Sequence, residues 1–210
     1  MIKKNLKILI LGSVITILPI LIGIILWNQL PSELPIHWNM AGEVDGRSSK
    51  GFVVFGIPAL LLAIHWFGAF ILSSDPKRKN QSDKMVAISL WIVPVLSILL
   101  SAITYVSALG KEVFVDVIIP VLLGLLFVVI GNYLPKCKQN YTVGIKLPWT
   151  LNNEENWNKT HRMAGWTWVA CGIAIMVAGC FGMVWVILPV LVIGALAPTI
   201  YSYILHRKGL

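Results

Sequence analysis

The polar side chains whose spacing best suits chemistry lie in one segment, residues 144–166. Glu154, Asn158 and His161 follow one another at helical spacing, so a helix would place a carboxylate, an amide and an imidazole on one face. Such a face could form a polar groove that binds a partner or moves a proton. It could equally be the polar side of a helix at a membrane surface, and physical reasoning favours this second interpretation.

Candidate functional side chains also occur in the loop 29–50 and at His65. The loop 29–50 carries polar side chains that either converge as a recognition patch or pair with one another in water. His65 lies well inside an apolar stretch, where a histidine is either functional or a neutral imidazole with one hydrogen-bond partner. The candidates in the loop are His37, Asn39, Glu43, Asp45 and Arg47.

The sequence contains no recognised catalytic or cofactor-binding pattern. An HExxH pair, a GxSxG elbow and a glycine-rich phosphate loop are all absent. The three cysteines, Cys137, Cys171 and Cys180, show neither CxxC spacing nor histidines at zinc-ligand distance. We therefore predict no enzyme activity, no metal site and no cofactor, and we expect the cysteines to fill apolar space.

Membrane helices must position these residues. A mean hydropathy of +0.81 with 12% charged residues excludes a soluble domain, because 210 residues provide too little interior for so many apolar side chains. Prolines within the apolar runs predict kinks, and the lack of GxxxG spacing around Gly165 and Gly172 predicts no dimer face. The predicted fold class is all-α, a polytopic membrane helix bundle with six transmembrane helices at 8–28, 51–73, 86–108, 115–134, 163–181 and 184–204.

The basic residues predict the orientation of the chain. All of the 17 Lys and Arg residues except Arg47, Lys50 and Lys111 lie at the termini or in the loops 74–85 and 135–162. Because basic loops stay in the cytoplasm, both termini should be cytoplasmic. The net charge of +8 then reflects membrane topology, and no direct nucleic acid binding is predicted.

Two loops should be ordered. Residues 29–50 begin with prolines and continue with Gly and Asp turn residues, which predicts an extracytoplasmic cap. In the second loop Asn152 and Glu155 fit an N-cap with its reciprocal partner, so a helix should start near Asn153, and Glu155 should pair with Lys159. On this helix Trp157, His161, Ala164 and Trp168 share one face, and Trp149 and Trp157 should lie near the headgroups.

Two stretches carry a family resemblance. Residues 144–151, GIKLPWTL, followed by Trp157, residues 160–162 and Gly165, resemble the signature of the SdpI family of bacterial immunity proteins. Residues 34–39, LPIHWN, with Gly42, Asp45 and Lys50, resemble a short domain of unknown function that often precedes the SdpI region. One departure is Lys146, where arginine is expected more often and would bind a planar anion with two hydrogen bonds.

The resemblance implies a multi-pass protein of the bacterial plasma membrane that protects its producer against a secreted peptide toxin. It implies a possible second role, recruitment of a small DNA-binding repressor to the membrane. We expect a two-helix region at 1–75 with an extracytoplasmic loop at 29–50, and a four-helix SdpI-like region at 76–210 with a cytoplasmic loop at 135–162.

The roles follow from this arrangement. The five polar residues of the outer loop should meet the toxin, and lipid should surround the spans. A small-solute or lipid transporter is the alternative, motivated by the proline-broken helices and His65. A cytoplasmic partner should bind residues of the inner loops: Lys77, Arg78, Lys79, Lys146, Trp149, Glu154, Trp157, Asn158, His161 and Arg162.

Overall fold

The computed structural model describes residues 2–210, with side chains from Asn5 onward. The described part of the chain therefore does not include the side chains of Lys3 and Lys4, which contribute to the prediction of orientation. The α-helices are α1 (Ile2–Ile25), α2 (Ile57–Ser74), α3 (Asp83–Ala108), α4 (Val115–Tyr133), α5 (Pro148–Asn152), α6 (Glu154–Cys180) and α7 (Ile187–Arg207). A π-helical turn, Phe52–Gly56, precedes α2, and short 3₁₀ turns occupy Arg78–Asn80, Leu134–Lys136 and Val184–Val186.

Six helices are long and apolar enough to cross a bilayer, which confirms the predicted all-α membrane fold. α5 is too short to span and lies in the loop before α6. The orientation of the termini stays a prediction. The candidate spans are Asn5–Ile25, Phe52–Ser74, Asp83–Ala108, Val115–Lys136, Glu154–Cys180 and Val184–Arg207.

The loop after α1 forms a β-hairpin, with strands β1 (Glu33–Trp38) and β2 (Val44–Ser49) paired antiparallel. The sequence predicted an extended, ordered loop but no strand pairing. Gly42, with a φ of 77°, lies in the turn between the strands, where a side chain would be strained. An irregularity in the register on either side of His37 offsets the two strands.

The chain divides into two compact units, and the first comprises Met1–Ser74 and Val86–Val115. It thus contains most of α3 besides α1, the hairpin and α2, whereas the predicted domain boundary at residues 75 and 76 rests on sequence alone and stays a prediction. Hydroxyl groups of α3 donate to carbonyl groups of α1: Ser97 to Thr16 at 2.7 Å and Tyr105 to Pro19 at 3.1 Å. Such bonds satisfy polar groups that would find no hydrogen-bond partner in lipid.

His65 lies in this first unit and is only 2% exposed. Its Nε2 lies 3.4 Å from the carbonyl oxygen of Leu9, and Gly12 and Pro94 pack close by. The transporter alternative required a water-lined cavity reaching this side chain. A buried imidazole with one backbone partner fits the packing interpretation, so the alternative loses one of the two observations that motivated it.

The second unit comprises Asp75–Met85 and Asp116–Leu210, and glycines bring α4 and α6 together in it. The Cα of Gly124 faces the backbone of Gly172, Gly131 faces Gly165, and Gly179 faces Pro120. The α6 glycines, Gly165, Gly172 and Gly179, are spaced by seven residues, whereas the GxxxG pattern has a spacing of four. Trp168 extends the packing, because its ring stacks on Phe127 and its indole N–H donates to the Gly194 carbonyl at 3.0 Å.

The close contacts of α4 and α6 at these glycines, which we call the glycine seam, predict that the effect of a glycine substitution depends strongly on its position. A Cβ at Gly172 would lie 2.5 Å from the Gly124 carbonyl oxygen and 2.9 Å from Val128 atoms, so Gly172→Ala should destabilise the protein by about 1–3 kcal/mol. Gly68 of α2 has open space around its Cα, so Gly68→Ala is the matched control and should be neutral or slightly stabilising. The unfolding free energy in detergent measures both; equal values for the two variants would contradict the seam.

Candidate functional site

The β-hairpin is the first candidate site, and apolar contacts anchor it to the first unit. Leu34 of β1 is completely buried among Leu30, Val53, Val54 and Tyr105. Immediately after β2, the Lys50 ammonium donates 2.9 Å hydrogen bonds to the carbonyl groups of Trp27 and Leu30 and lies over the Trp27 ring. These contacts join the turn that follows α1 to the residue that follows β2, and so hold the hairpin in place.

The exposed side of the hairpin carries the predicted polar residues. His37 Nδ1 lies 2.5 Å from Asp45 Oδ1, and the Asn39 amide donates to Glu43 Oε2 at 2.9 Å. The Asn39 carbonyl oxygen accepts from two backbone N–H groups of the turn, which fixes its conformation. Arg47 is exposed and has no ion pair among the described residues. Four of the five candidates are therefore preordered in pairs.

The second candidate site is a cluster formed by residues 75–85 and 134–161, which we call the loop cluster. Asp75 is its hub, since this side chain is only 4% exposed and accepts four hydrogen bonds. Burial raises the pKa of Asp75, but the hydrogen bonds, led by that from the Thr142 hydroxyl, outweigh burial and bring the pKa below its usual value. The other donors are the Gln81 amide and the backbone N–H groups of Lys77 and Tyr141.

Two amide side chains join the loops further. The Asn140 side chain is fully buried, accepts from the N–H groups of Thr142 and Val143, and donates to the Val143 carbonyl at 3.0 Å. Gln139 donates to the Thr150 carbonyl at 2.8 Å and accepts from the Lys77 ammonium. Since these side chains replace a regular backbone ladder, they define the shape of an irregular segment.

Trp157 and His161 lie at the centre of the cluster. Trp157 is fully buried, and its indole N–H donates to the Cys137 carbonyl at 2.7 Å. The His161 ring stacks on it at 4.0 Å between centroids. His161 Nε2 accepts from the Ile145 N–H at 2.9 Å, so its proton lies on Nδ1, which donates to the Trp157 carbonyl at 2.8 Å. The imidazole is therefore neutral and positions residues 144–146.

Gly144 allows the close approach of this segment to the two rings. Its φ is +121°, and a Cβ there would collide with the His161 ring and lie 3.0 Å from Trp157. Within the motif that carries the family resemblance, Gly144 of the loop thus packs directly against Trp157 and His161, which lie one to two turns into α6.

A second buried polar group ties α5, α6 and α7 together. The Asn156 amide donates to the Ser202 carbonyl at 3.0 Å, and its carbonyl oxygen accepts from the Thr160 and Ser202 hydroxyls. The Trp149 indole N–H donates to the Ser202 hydroxyl at 2.6 Å. Asn156, Thr160 and Ser202 are not among the predicted site residues. The sequence feature that could have identified them is a polar side chain on the apolar face of a helix.

Glu154, Asn158 and His161 do not line a common groove, which was the less favoured of the two interpretations of this helix face. Glu154 and Asn158 are exposed, whereas His161 is 1% exposed and bonded on both nitrogens. A seven-residue spacing places Glu154 and His161 on nearly the same helix face. His161 is buried because the loop returns over it and donates the Ile145 N–H to its ring. Trp157 itself is buried among Met85 and Cys137 and does not lie among headgroups.

α6 starts within one residue of the predicted position, but its N-cap differs from the predicted Asn152. Asn153 is the N-cap, and its side chain accepts from the Asn156 N–H at 2.9 Å, because α5 occupies the preceding residues through Asn152. Glu155 pairs with Lys159 at 2.8 Å, as predicted. Trp157, His161 and Ala164 share a buried face, as the spacing indicated.

The described residues contain no group of three or more His, Cys, Asp or Glu side chains placed to bind a metal ion. Burial raises the pKa of the Cys137 thiol. The hydrogen bond from the Asn140 amide partly offsets this rise in pKa, and the Asp75 charge adds to it. Cys171 is buried and Cys180 exposed, consistent with opposite helix faces. Gln81 Oε1 is buried without a hydrogen-bond partner among the described residues. The other contacts described for the loop cluster are satisfied, so the cluster orders a surface.

Two family models match the chain. Residues 136–202 match the SdpI/YfhL protein family, and residues 14–62 match a domain of unknown function, DUF1648. Across 98% of its length, the chain is 32% identical to Immunity protein SdpI of Bacillus subtilis (strain 168), of which the alignment covers 97%. The chain belongs to the SdpI family. No solved structure matches the chain.

One matched region contains the hairpin and the other contains the 136–161 part of the loop cluster, whereas Asp75 lies outside both. The region 14–62 includes the hairpin, and the SdpI region 136–202 includes Asn140, the Trp157 and His161 pair, and Ser202. This SdpI-family chain is a multi-pass membrane protein with six spans, which confirms the predicted localisation.

Proposed function

We propose that this SdpI-family protein gives its producer immunity to a secreted peptide toxin. The observation that supports this function most directly is the 32% identity to Immunity protein SdpI over 98% of the chain. A match over nearly the whole of both proteins covers both candidate sites, so the similarity extends beyond a shared membrane helix. A role without catalysis also agrees with a loop cluster whose buried polar groups, apart from Gln81 Oε1, are bonded to one another.

The hairpin is the proposed contact surface for the toxin. His37, Asn39, Glu43, Asp45 and Arg47 are its candidate residues. The first four are fixed in hydrogen-bonded pairs, so binding would cost little ordering of side chains. Arg47 is exposed without an ion-pair partner in the described part of the chain and is the free charge of the surface.

Signalling through a small DNA-binding repressor is the proposed second role. Among the predicted partner-binding residues, exposed side chains are suited to direct contact, whereas Trp157 and His161 are buried and would act by holding the loop. Lys77 and Trp149 are half-buried and bonded within the second unit. The exposed set is Arg78, Lys79, Lys146, Glu154, Asn158 and Arg162.

A charge reversal tests the role of the hairpin. Arg47→Glu should raise the sensitivity of expressing cells to the toxin about tenfold, since reversing a contact charge costs on the order of 1.4 kcal/mol or more in binding. Lys111→Glu is the matched control, because Lys111 is an exposed cation of the other predicted outer loop of the first unit. Killing curves at equal membrane abundance measure the effect. Equal sensitivity of both variants and the parent would exclude Arg47 from the contact surface.

A further inference from the structure

A group of lysines in the loop cluster lies at the ends of membrane spans. Lys136 is the last residue of the span Val115–Lys136, and Lys84 is the second residue of the span Asp83–Ala108. Lys77 follows the span Phe52–Ser74 by three residues, a reach of about 10 Å even in an extended chain. These three residues, which we call the span-end lysines, therefore lie at headgroup depth.

Contacts within the second unit gather the span-end lysines around residues 136–141. The Lys77 ammonium donates to the Gln139 side chain and lies 5.5 Å from the centre of the Tyr141 ring. Lys136 lies over the Tyr133 ring at 4.9 Å. Lys84 precedes Met85, whose side chain packs with Cys137 and Trp157. Two lysines over tyrosine rings match the composition of a membrane interface, where amphipathic aromatic side chains concentrate.

This surface carries a net positive charge. Residues 75–85 and 134–146 contain seven Lys and Arg residues and two carboxylates. The buried Asp75 carboxylate is committed to four hydrogen bonds from other residues. No span-end lysine forms an ion pair with any residue from Asn5 onward. Several cations at headgroup depth attract an anion that resides at that depth.

We propose that the span-end lysines form a binding site for the phosphate of an anionic phospholipid headgroup. The lipid phosphate would accept from the ammonium groups of Lys84 and Lys136, both exposed, while Lys77 shares its charge from the rim. A soluble anionic partner matches the site less well, because it would have to enter the headgroup layer to reach Lys136. The site is independent of immunity and of toxin contact.

Lipid retention by the purified full-length protein tests this site. In detergent, native mass spectrometry should show phosphatidylglycerol retained in preference to phosphatidylcholine. Because a lysine near an anionic surface contributes about 1 kcal/mol, Lys84→Gln with Lys136→Gln should weaken phosphatidylglycerol binding about 10- to 30-fold. Lys77 is kept, since it bonds to Gln139 and its removal could disturb the loops.

The control carries Lys159→Gln and Lys208→Gln, two exposed cations near the ends of the other two spans of the same unit. It removes the same charge from the same depth outside the proposed site, so it should retain the lipid like the parent. Equal retention of the two lipids, or equal losses in both double variants, would overturn the site. Competition by glycerol 3-phosphate at the same concentration as the lipid would assign the site to a soluble phosphate compound and overturn the lipid assignment. A chain that fails to protect cells yet binds phosphatidylglycerol selectively would refute immunity alone.

Discussion

Trp157→Ala should be the most destabilising single substitution considered, with a loss of about 3–5 kcal/mol in the free energy of unfolding. Trp157 is 0% exposed, stacks on His161, and donates to the Cys137 carbonyl, so its removal opens a cavity and leaves a buried acceptor without its donor. The loop 137–146 should then lose its order, and the protein should become less abundant in the membrane.

Two further variants separate packing from hydrogen bonding at this position. Trp157→Phe keeps most of the ring volume but removes the indole N–H, and it should cost about 1 kcal/mol more than the packing change alone. Trp166→Ala is the matched control, because Trp166 is 75% exposed on the same helix, and its effect should be within about 0.5 kcal/mol. Unfolding followed by circular dichroism in detergent measures all three. Similar losses for Trp157→Ala and Trp166→Ala would refute the buried position of Trp157.

Asp75→Asn should destabilise the protein by about 1–3 kcal/mol at neutral pH. Three donors, from Gln81, Tyr141 and Thr142, meet one carboxylate oxygen, and the Lys77 N–H meets the other. An amide has one oxygen, which can occupy only one of the two carboxylate oxygen positions. Its NH₂ group must then occupy the other position, where it faces a donor. Glu155→Gln, which affects an exposed pair with Lys159, is the control and should cost about 0.3–0.5 kcal/mol.

The pH dependence of this difference has a defined sign. The pKa of Asp75 is lower in the folded protein than its usual value of 3.8, so its stabilising contribution is complete above that usual value. The contribution is lost as pH falls through the folded pKa. The difference in unfolding free energy between the parent and Asp75→Asn should therefore be constant near neutral pH and shrink below about pH 4. A difference that grows on acidification would contradict the assigned role of the carboxylate.

The spans could be predicted from sequence because the requirement of a bilayer is local: each run of about 20 apolar residues can be recognised without its neighbours. The glycine seam was also visible in principle, since Gly165, Gly172 and Gly179 recur every seven residues, but a four-residue period was sought. The hairpin was predicted only as an ordered loop, because strand pairing depends on a register that prolines and turn residues leave open.

The loop cluster could not be predicted in the same way. Asp75 meets Thr142 across 67 residues of sequence, and Asn156 meets Ser202 across 46. Such pairs depend on how helices pack, which no local pattern encodes. His161 shows the same limit: its place on a helix face was predicted correctly, but whether that face met water or the Trp157 ring was decided by the returning loop.

Protection of a toxin-sensitive bacterium tests the central claim most directly. Cells expressing the full chain, cells expressing Immunity protein SdpI of Bacillus subtilis and cells with an empty vector would be exposed to increasing amounts of the exported toxin against which that relative protects. An immunity function predicts that the chain shifts the concentration for half-maximal killing upward by about tenfold or more, equivalent to about 1.4 kcal/mol. Killing at the same concentration as the empty vector, with the chain present in the membrane and the relative protective, would contradict it for this toxin.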